Sequence, residues 1–215
     1  KFGNMALLSG YSSPDRGLLE LAGTVTGYNP GSSDFTVDFW VYFDVMSNTY
    51  DFLFTPFELY SSATYDKITL SLMKWDDGVY AMEFHGIAGG DNVGYLDFGG
   101  TIPFAVSPDT WIHFELCRNG NNYLFFKNGT LIDTIASPLG SHTYAITGTG
   151  YAQIGYVKDI ADSVWFDEFR YSVGIARHTS SFSVPIVAYE PVVPQNYEET
   201  IDDTFDSGET LTVYK

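Results

Sequence analysis

The stretch VWFDEFRY, Val164–Tyr171, sets two adjacent carboxylates, Asp167 and Glu168, among aromatic residues. A carboxyl pair is the equipment of glycoside hydrolysis, in which one acid protonates the leaving oxygen and the other acts as nucleophile or base. Both groups must then line one cleft, about 5–5.5 Å apart for retention or about 6.5–9.5 Å apart for inversion. On a regular strand successive side chains point to opposite faces. Asp167 is therefore expected beside Trp165, Phe169 and Tyr171, and Glu168 beside Val164, Phe166 and Arg170, with Glu168 pairing to Arg170. Carboxylates on opposite faces cannot flank one glycosidic bond. The sequence also lacks a G-x-S-x-G elbow, a G-x-x-x-x-G-K-[ST] phosphate loop and H-E-x-x-H, so no catalytic residue is assigned.

Sugar binding asks for less: aromatic faces to stack on a pyranose, with amides or carboxylates for its hydroxyls. Two sets qualify. The outward face of DFTVDFWVYFD carries Trp40 and Tyr42 with Asp38 and Asp44; the turn at Asp76-Asp77-Gly78 is flanked by Trp75 and Tyr80. The competing reading of Trp40 and Tyr42 is cover by a loop, another subunit or the acidic tail.

Calcium, which prefers six to eight oxygen ligands, is a candidate cofactor without a fixed position. Asp76-Asp77-Gly78, Gly90-Asp91-Asn92 and Asp159 with Asp162 are loops of suitable composition. DDTFDSGE comes near an EF-hand loop, but Phe205 stands where an oxygen is needed. His85, His113, His142 and His178 lie in separate segments and read as surface or satisfied core residues. Cys117, the single cysteine, excludes an internal disulfide and reads as a buried inert thiol.

The elements that must position these residues are strands. Hydrophobic residues make up 45% of the 215, charged residues 17%, and 17 Phe, 16 Tyr and 4 Trp are separated by 21 Gly. This composition suits short strands and tight turns. Phe35, Val37, Phe39, Val41 and Phe43 alternate onto one face, as a strand with one side in a core requires. KITLSLMKW and VYAMEFH read as a hairpin. So does NNYLFFKNGTLIDTI, where Asn128-Gly129 favours positive φ at both turn positions. That turn also explains the sequon Asn128-Gly129-Thr130. YLDFGGTIPF, WIHFELCR, YAQIGYV and VWFDEFRYS continue the series, and GIARHTSSF is expected to hold one helical turn. The result is an all-β, two-sheet antiparallel sandwich.

The formal net charge of −17 disfavours nucleic acid and anionic membrane surfaces and suits neutral ligands, cations or basic partners. No apolar run approaches the length of a membrane span, so no membrane insertion is expected. The chain begins at Lys1 without Met or a signal-peptide pattern, as an excised or processed piece of a longer protein would. Composition shifts after Tyr189: PVVPQNYEETIDDTFDSGETLTVYK opens on two prolines and holds six acidic residues against one Lys. Residues 1–189 are thus read as one domain and 190–215 as an acidic linker or docking tail.

The order KFGNMALLSG, FTVDFWVYF, WIHFELCRNGNNYLFFKNGTLIDT, AQIGYV, WFDEFRYSVGIARHTSSFSVP resembles the laminin G-like branch of the concanavalin A-like lectin/glucanase jelly rolls, from about Lys1 to Pro185. The final Asp-Glu-aromatic-Arg strand with G-x-A-R-[HY]-T-x-x-F-x-x-P looks like copies in bacteriophage virion proteins, tail-fibre components included. The resemblance implies a jelly roll with a binding or assembly role and often a carbohydrate or calcium ligand. The glucanase members carry E-x-D-x-x-E or E-x-D-x-E, which this sequence lacks. The expectation is a non-enzymatic, extracellular or virion-surface module that binds glycan, with a capsid or tail structural role as the alternative. Its partners would be carbohydrate, other virion proteins through 190–215, and further copies of itself.

Overall fold

Phe35, Val37, Phe39, Val41 and Phe43 are at most 1% exposed, and the alternation that put them on one face is the plan of the whole molecule. The computed structural model describes residues 7–9, 19–43, 51–74, 80–98, 105–107, 109–156 and 164–184. The chain divides into two units, Lys1–Val184 and Pro185–Lys215, and every described residue belongs to the first. The acidic tail 190–215 lies outside the described residues.

Among the described residues twelve strands follow in order: β1 (Leu7–Ser9), β2 (Leu19–Thr24), β3 (Phe35–Phe43), β4 (Asp51–Ser61), β5 (Lys67–Lys74), β6 (Tyr80–Ala88), β7 (Asp91–Phe98), β8 (Trp111–Asn119), β9 (Asn122–Lys127), β10 (Thr130–Ala136), β11 (Thr149–Tyr156) and β12 (Val164–Val173). They form two six-stranded antiparallel sheets, ordered β1-β12-β3-β8-β9-β10 and β2-β11-β4-β5-β6-β7. Chain neighbours such as β2 and β3 fall in different sheets, which is the jelly-roll arrangement. The core between the sheets takes Phe35, Phe39, Phe114 and Phe125 from the first and Phe57, Leu70, Phe84 and Phe98 from the second.

Both expected hairpins are present. β5 pairs with β6 from Lys67↔Ile87 to Lys74↔Tyr80, and β9 turns into β10 at Asn128 (φ 48°) and Gly129 (φ 75°). Two local expectations are corrected. GIARHTSSF holds no helical turn: residues 174–184 run as an irregular strap across the outside of the first sheet. Strict alternation in VWFDEFRY also fails, because a bulge between Asp167 and Arg170 puts Glu168 at φ 53°. An extra residue at a bulge resets which side follows. Phe169 and Tyr171 thus join Val164 and Phe166 at the core, while Arg170 and Ser172 share the outer face with Trp165 and Asp167.

Candidate functional site

On the outer face of the first sheet, register sets side chains from β12, β3 and β8 in four rows. They are Trp165–Tyr42–Trp111, Asp167–Trp40–His113, Arg170–Asp38–Glu115 and Ser172–Thr36–Cys117. The last two rows, with part of the second, hold polar residues that are wholly buried. Asp38 and Glu115 are 0% exposed and His113 1%, burial that is costly unless each group is paired.

The strap supplies part of that pairing. Thr36 donates its hydroxyl to the Ile175 carbonyl (2.8 Å) and accepts from the Arg177 amide (3.0 Å). Arg177 donates twice to Ser172 Oγ, at 3.1 and 3.0 Å. His178 Nδ1 lies 2.8 and 2.9 Å from the two Glu115 oxygens. The His178 ring stacks on Phe182 at 3.5 Å and 6°, and Phe182 meets Phe126 and His113 edge-on. The Phe182 amide then donates to the Gly129 carbonyl (2.8 Å), fastening the strap to the β9–β10 turn. Beneath it Cys117, Leu124 and Phe126 form a small second core with Leu131, Ala176 and Phe182. Burial raises the Cys117 thiol to about 12, so it is an inert thiol, as expected.

Asp38, His113 and Glu115 offer two carboxylate oxygens and an imidazole nitrogen within 4.8 Å of one another, a set able to coordinate a metal ion. Basic side chains already face it. Arg170 holds both Asp38 oxygens at 3.0 Å, and His178 holds Glu115. The two-pronged partner of Arg170 is Asp38, across the strand pair. Burial raises the Glu115 carboxyl, against the lowering effects of Cys117 and His178.

The first row is different. Trp165, Tyr42 and Trp111 are all partly exposed, on three neighbouring strands. Ring centroids are 5.2 Å apart for Tyr42–Trp165 and 5.6 Å for Tyr42–Trp111, with interplanar angles of 77° and 49°. The Tyr42 hydroxyl donates to exposed Asp109 at 3.0 Å. Aromatic faces beside hydrogen-bonding carboxylates are what a sugar ring requires.

The structure redistributes the residues expected from sequence. Tyr42 belongs to the open row. Trp40 does not: it is 4% exposed, edge-on to His113, so its face is closed to a ligand and the covered reading holds for it. Tyr80 is half-buried and packs against the main core, and burial raises its phenol. Trp75, Asp76 and Asp77 lie outside the described residues, as do Asp44, Asp159 and Asp162. The Gly90-Asp91 turn is held by buried Asp66, whose carboxylate accepts from the amides of Gly89, Gly90 and Ala145.

Sequence reasoning missed Trp111 and Trp165 as partners of Tyr42. Each sits on its own strand, and only register aligns them. It also left the histidines scattered, whereas His113 and His178 converge around Glu115 and Phe182.

Same-face carboxylates also arise across strands on the outside of the second sheet. There Glu58 and Thr69 stand in register with each other and Thr69 with His85, while Glu83 follows in the next row. Glu58 accepts from Tyr151 (2.6 Å) and Thr69 (3.0 Å).

Together these features define a two-sheet antiparallel jelly roll. In fold the chain is similar to a SAP-like pentraxin from Limulus polyphemus, with a TM-score of 0.53 and 15% identity over 80% of this chain and 76% of that one. It is likewise similar to the binding domain of botulinum neurotoxin serotype G, at TM-score 0.53 and 12% identity, over 82% of this chain and 43% of that one. No protein-family model matches the sequence, and no curated protein matches it significantly. Among the described residues no helix is long and apolar enough to cross a membrane.

Proposed function

We propose that the chain is a non-enzymatic carbohydrate-binding module whose contact surface is the row Trp165–Tyr42–Trp111. The observation that carries this reading is the register that brings three partly exposed aromatic rings together, beside Asp109, on the outer face of the first sheet. The fold it shares with a pentraxin and a toxin binding domain is compatible with that role. The acidity of the chain agrees with a neutral ligand. The virion-surface setting, with docking through 190–215, rests on the resemblance of the WFDEFRYSVGIARHTSSFSVP segment to phage proteins. Calcium is not favoured at Asp38–His113–Glu115, because a calcium site is built from oxygens and this one includes a nitrogen and faces Arg170.

A glycan array probed with the multimerised protein tests the proposal, since linked copies raise weak avidity. Binding lost in Trp111→Ala and Trp165→Ala is the expected result. Silence across host-surface and environmental glycans would sink it and favour a structural role through protein contacts. Glu58 and Glu83 on one face keep a hydrolase as the second reading; release of reducing ends from bound glycan, abolished in Glu58→Gln, would establish it.

A further inference from the structure

Resting on the glycan-binding reading, we infer that the aromatic row takes a single extended chain of uncharged sugars and rejects both polyanionic glycans and flat crystalline polysaccharide.

Three features carry this. The first is pitch. Strands in a sheet lie about 4.8 Å apart, and the observed centroid spacings of 5.2 and 5.6 Å are comparable with one pyranose unit of an extended chain. Three rings can therefore address successive units of one chain laid across β12, β3 and β8.

The second is tilt. Tyr42 stands at 77° to Trp165 and 49° to Trp111, so the three rings share no plane. A rigid crystalline face could touch only part of such a row. A lone chain, free to rotate at each glycosidic bond, can follow it.

The third is charge. Asp109 meets the row at Tyr42, and Asp167 follows Trp165 on the same face. Among the described residues the one Lys or Arg facing outward from these three strands is Arg170, whose guanidinium is engaged by Asp38. A uronate or sulfate on the glycan would meet two carboxylates within a chain of net charge −17. Like charges brought together in this way discriminate against the wrong ligand.

Titration calorimetry with soluble β-1,4-linked hexasaccharides of glucose, mannose and xylose, against the hexasaccharide of glucuronic acid, tests the inference, with retention on microcrystalline cellulose measured alongside. At least one neutral hexasaccharide should bind about tenfold or more tighter than the uronate at equal salt. Its affinity should not change with ionic strength, and Asp109→Asn should narrow the gap. Trp165→Ala should abolish binding and Trp165→Phe retain part of it, with thermal melts confirming that both fold. Uronate binding equal to or tighter than neutral binding would overturn the inference while leaving a glycan module in place. Retention on cellulose without binding of soluble neutral chains would do the same. Binding of no glycan of any class would overturn both.

Discussion

Arg170 on β12 reaches Asp38 on β3 through two hydrogen bonds, Nε to Oδ2 and Nη2 to Oδ1, each 3.0 Å long. Asp38 is wholly buried and Arg170 is 28% exposed, so the guanidinium bridges from solvent to a carboxylate that has none. The bulge after Asp167 makes this possible by turning Arg170 outward.

Removing the guanidinium leaves a buried anion without its strongest partner, and one-sided loss from a buried pair costs about 3–5 kcal/mol. Arg170→Ala should fall near the lower end because Arg170 is partly solvated. Replacing both partners, as Asp38→Leu with Arg170→Met, should recover most of the loss. Urea midpoints of the two variants and of wild type measure this; a midpoint for Arg170→Ala equal to wild type would show that the pair contributes nothing.

The same pair governs metal binding. A divalent cation at Asp38, His113 and Glu115 would have to displace or tolerate Arg170. Zinc should thus leave the melting temperature of the wild-type protein unchanged and raise that of Arg170→Ala, since a ligand that binds only the native state stabilises it. A rise in wild type, or a fall on adding a chelator, would show that the cation wins the site.

Gly129 joins the β9–β10 turn to the strap. Its φ of 75° disfavours any side chain, and a Cβ there would run into the Phe182 carbonyl. Gly129→Ala should cost about 1–3 kcal/mol. It should also loosen residues 174–184, seen as faster amide exchange at Phe182 than in wild type. Unchanged exchange at Phe182 would mean that the strap does not depend on this contact.

Much of the fold was legible because it rests on local signals. Alternation located β3, and Asn128-Gly129 located a turn with positive φ at both residues. The sandwich followed from strand count and turn chemistry. The site was less legible because it rests on register, which no single strand encodes. Tyr42 was found from its own strand, yet its neighbours Trp111 and Trp165 come from segments about 70 and 120 residues away. Of the two readings open for Trp40, an open face or a covered one, burial selects the second: Trp40 meets His113 in its own row, and His113 in turn meets Phe182 of the strap. The bulge at Glu168 was invisible for a related reason: nothing in VWFDEFRY marks the residue that adopts positive φ.

His142 gives the fold a pH dependence. Its Nδ1 lies 2.9 Å from the Gly140 carbonyl and so carries the proton, while Nε2 accepts from Tyr123 at 2.9 Å. Tyr123 in turn lies 2.8 Å from Tyr144. Burial lowers the affinity of this imidazole for a second proton, with Arg118 acting in the same direction. The unfolded chain takes that proton near pH 6.5, so the stabilisation is intact above that value. It is lost as pH falls toward the lowered native pKa. Replacing the imidazole, as in His142→Gln, should flatten the decline of stability below about pH 6.5 relative to wild type. Parallel stability–pH curves for the two proteins would rule out His142 as the cause.

Trp40 and Trp111 occupy adjacent rows of one sheet face and differ in exposure. Trp40, 4% exposed, is a packing residue, and truncating a buried aromatic costs about 3–5 kcal/mol. Trp111 is partly exposed at the end of the open row, so its truncation should cost less than that of Trp40. Trp40→Ala should therefore lower the denaturation midpoint sharply. Trp111→Ala should lower it less, yet weaken glycan binding by about tenfold or more, as loss of an interface anchor does. Melting curves and binding isotherms on the same two preparations separate the effects. If Trp111→Ala retained full affinity while Trp165→Ala lost it, the contact would lie on the β12 side of the row alone. If both retained it, sugar would have to bind elsewhere, and the second sheet's outer face, with Glu58 and Glu83, would become the surface to mutate.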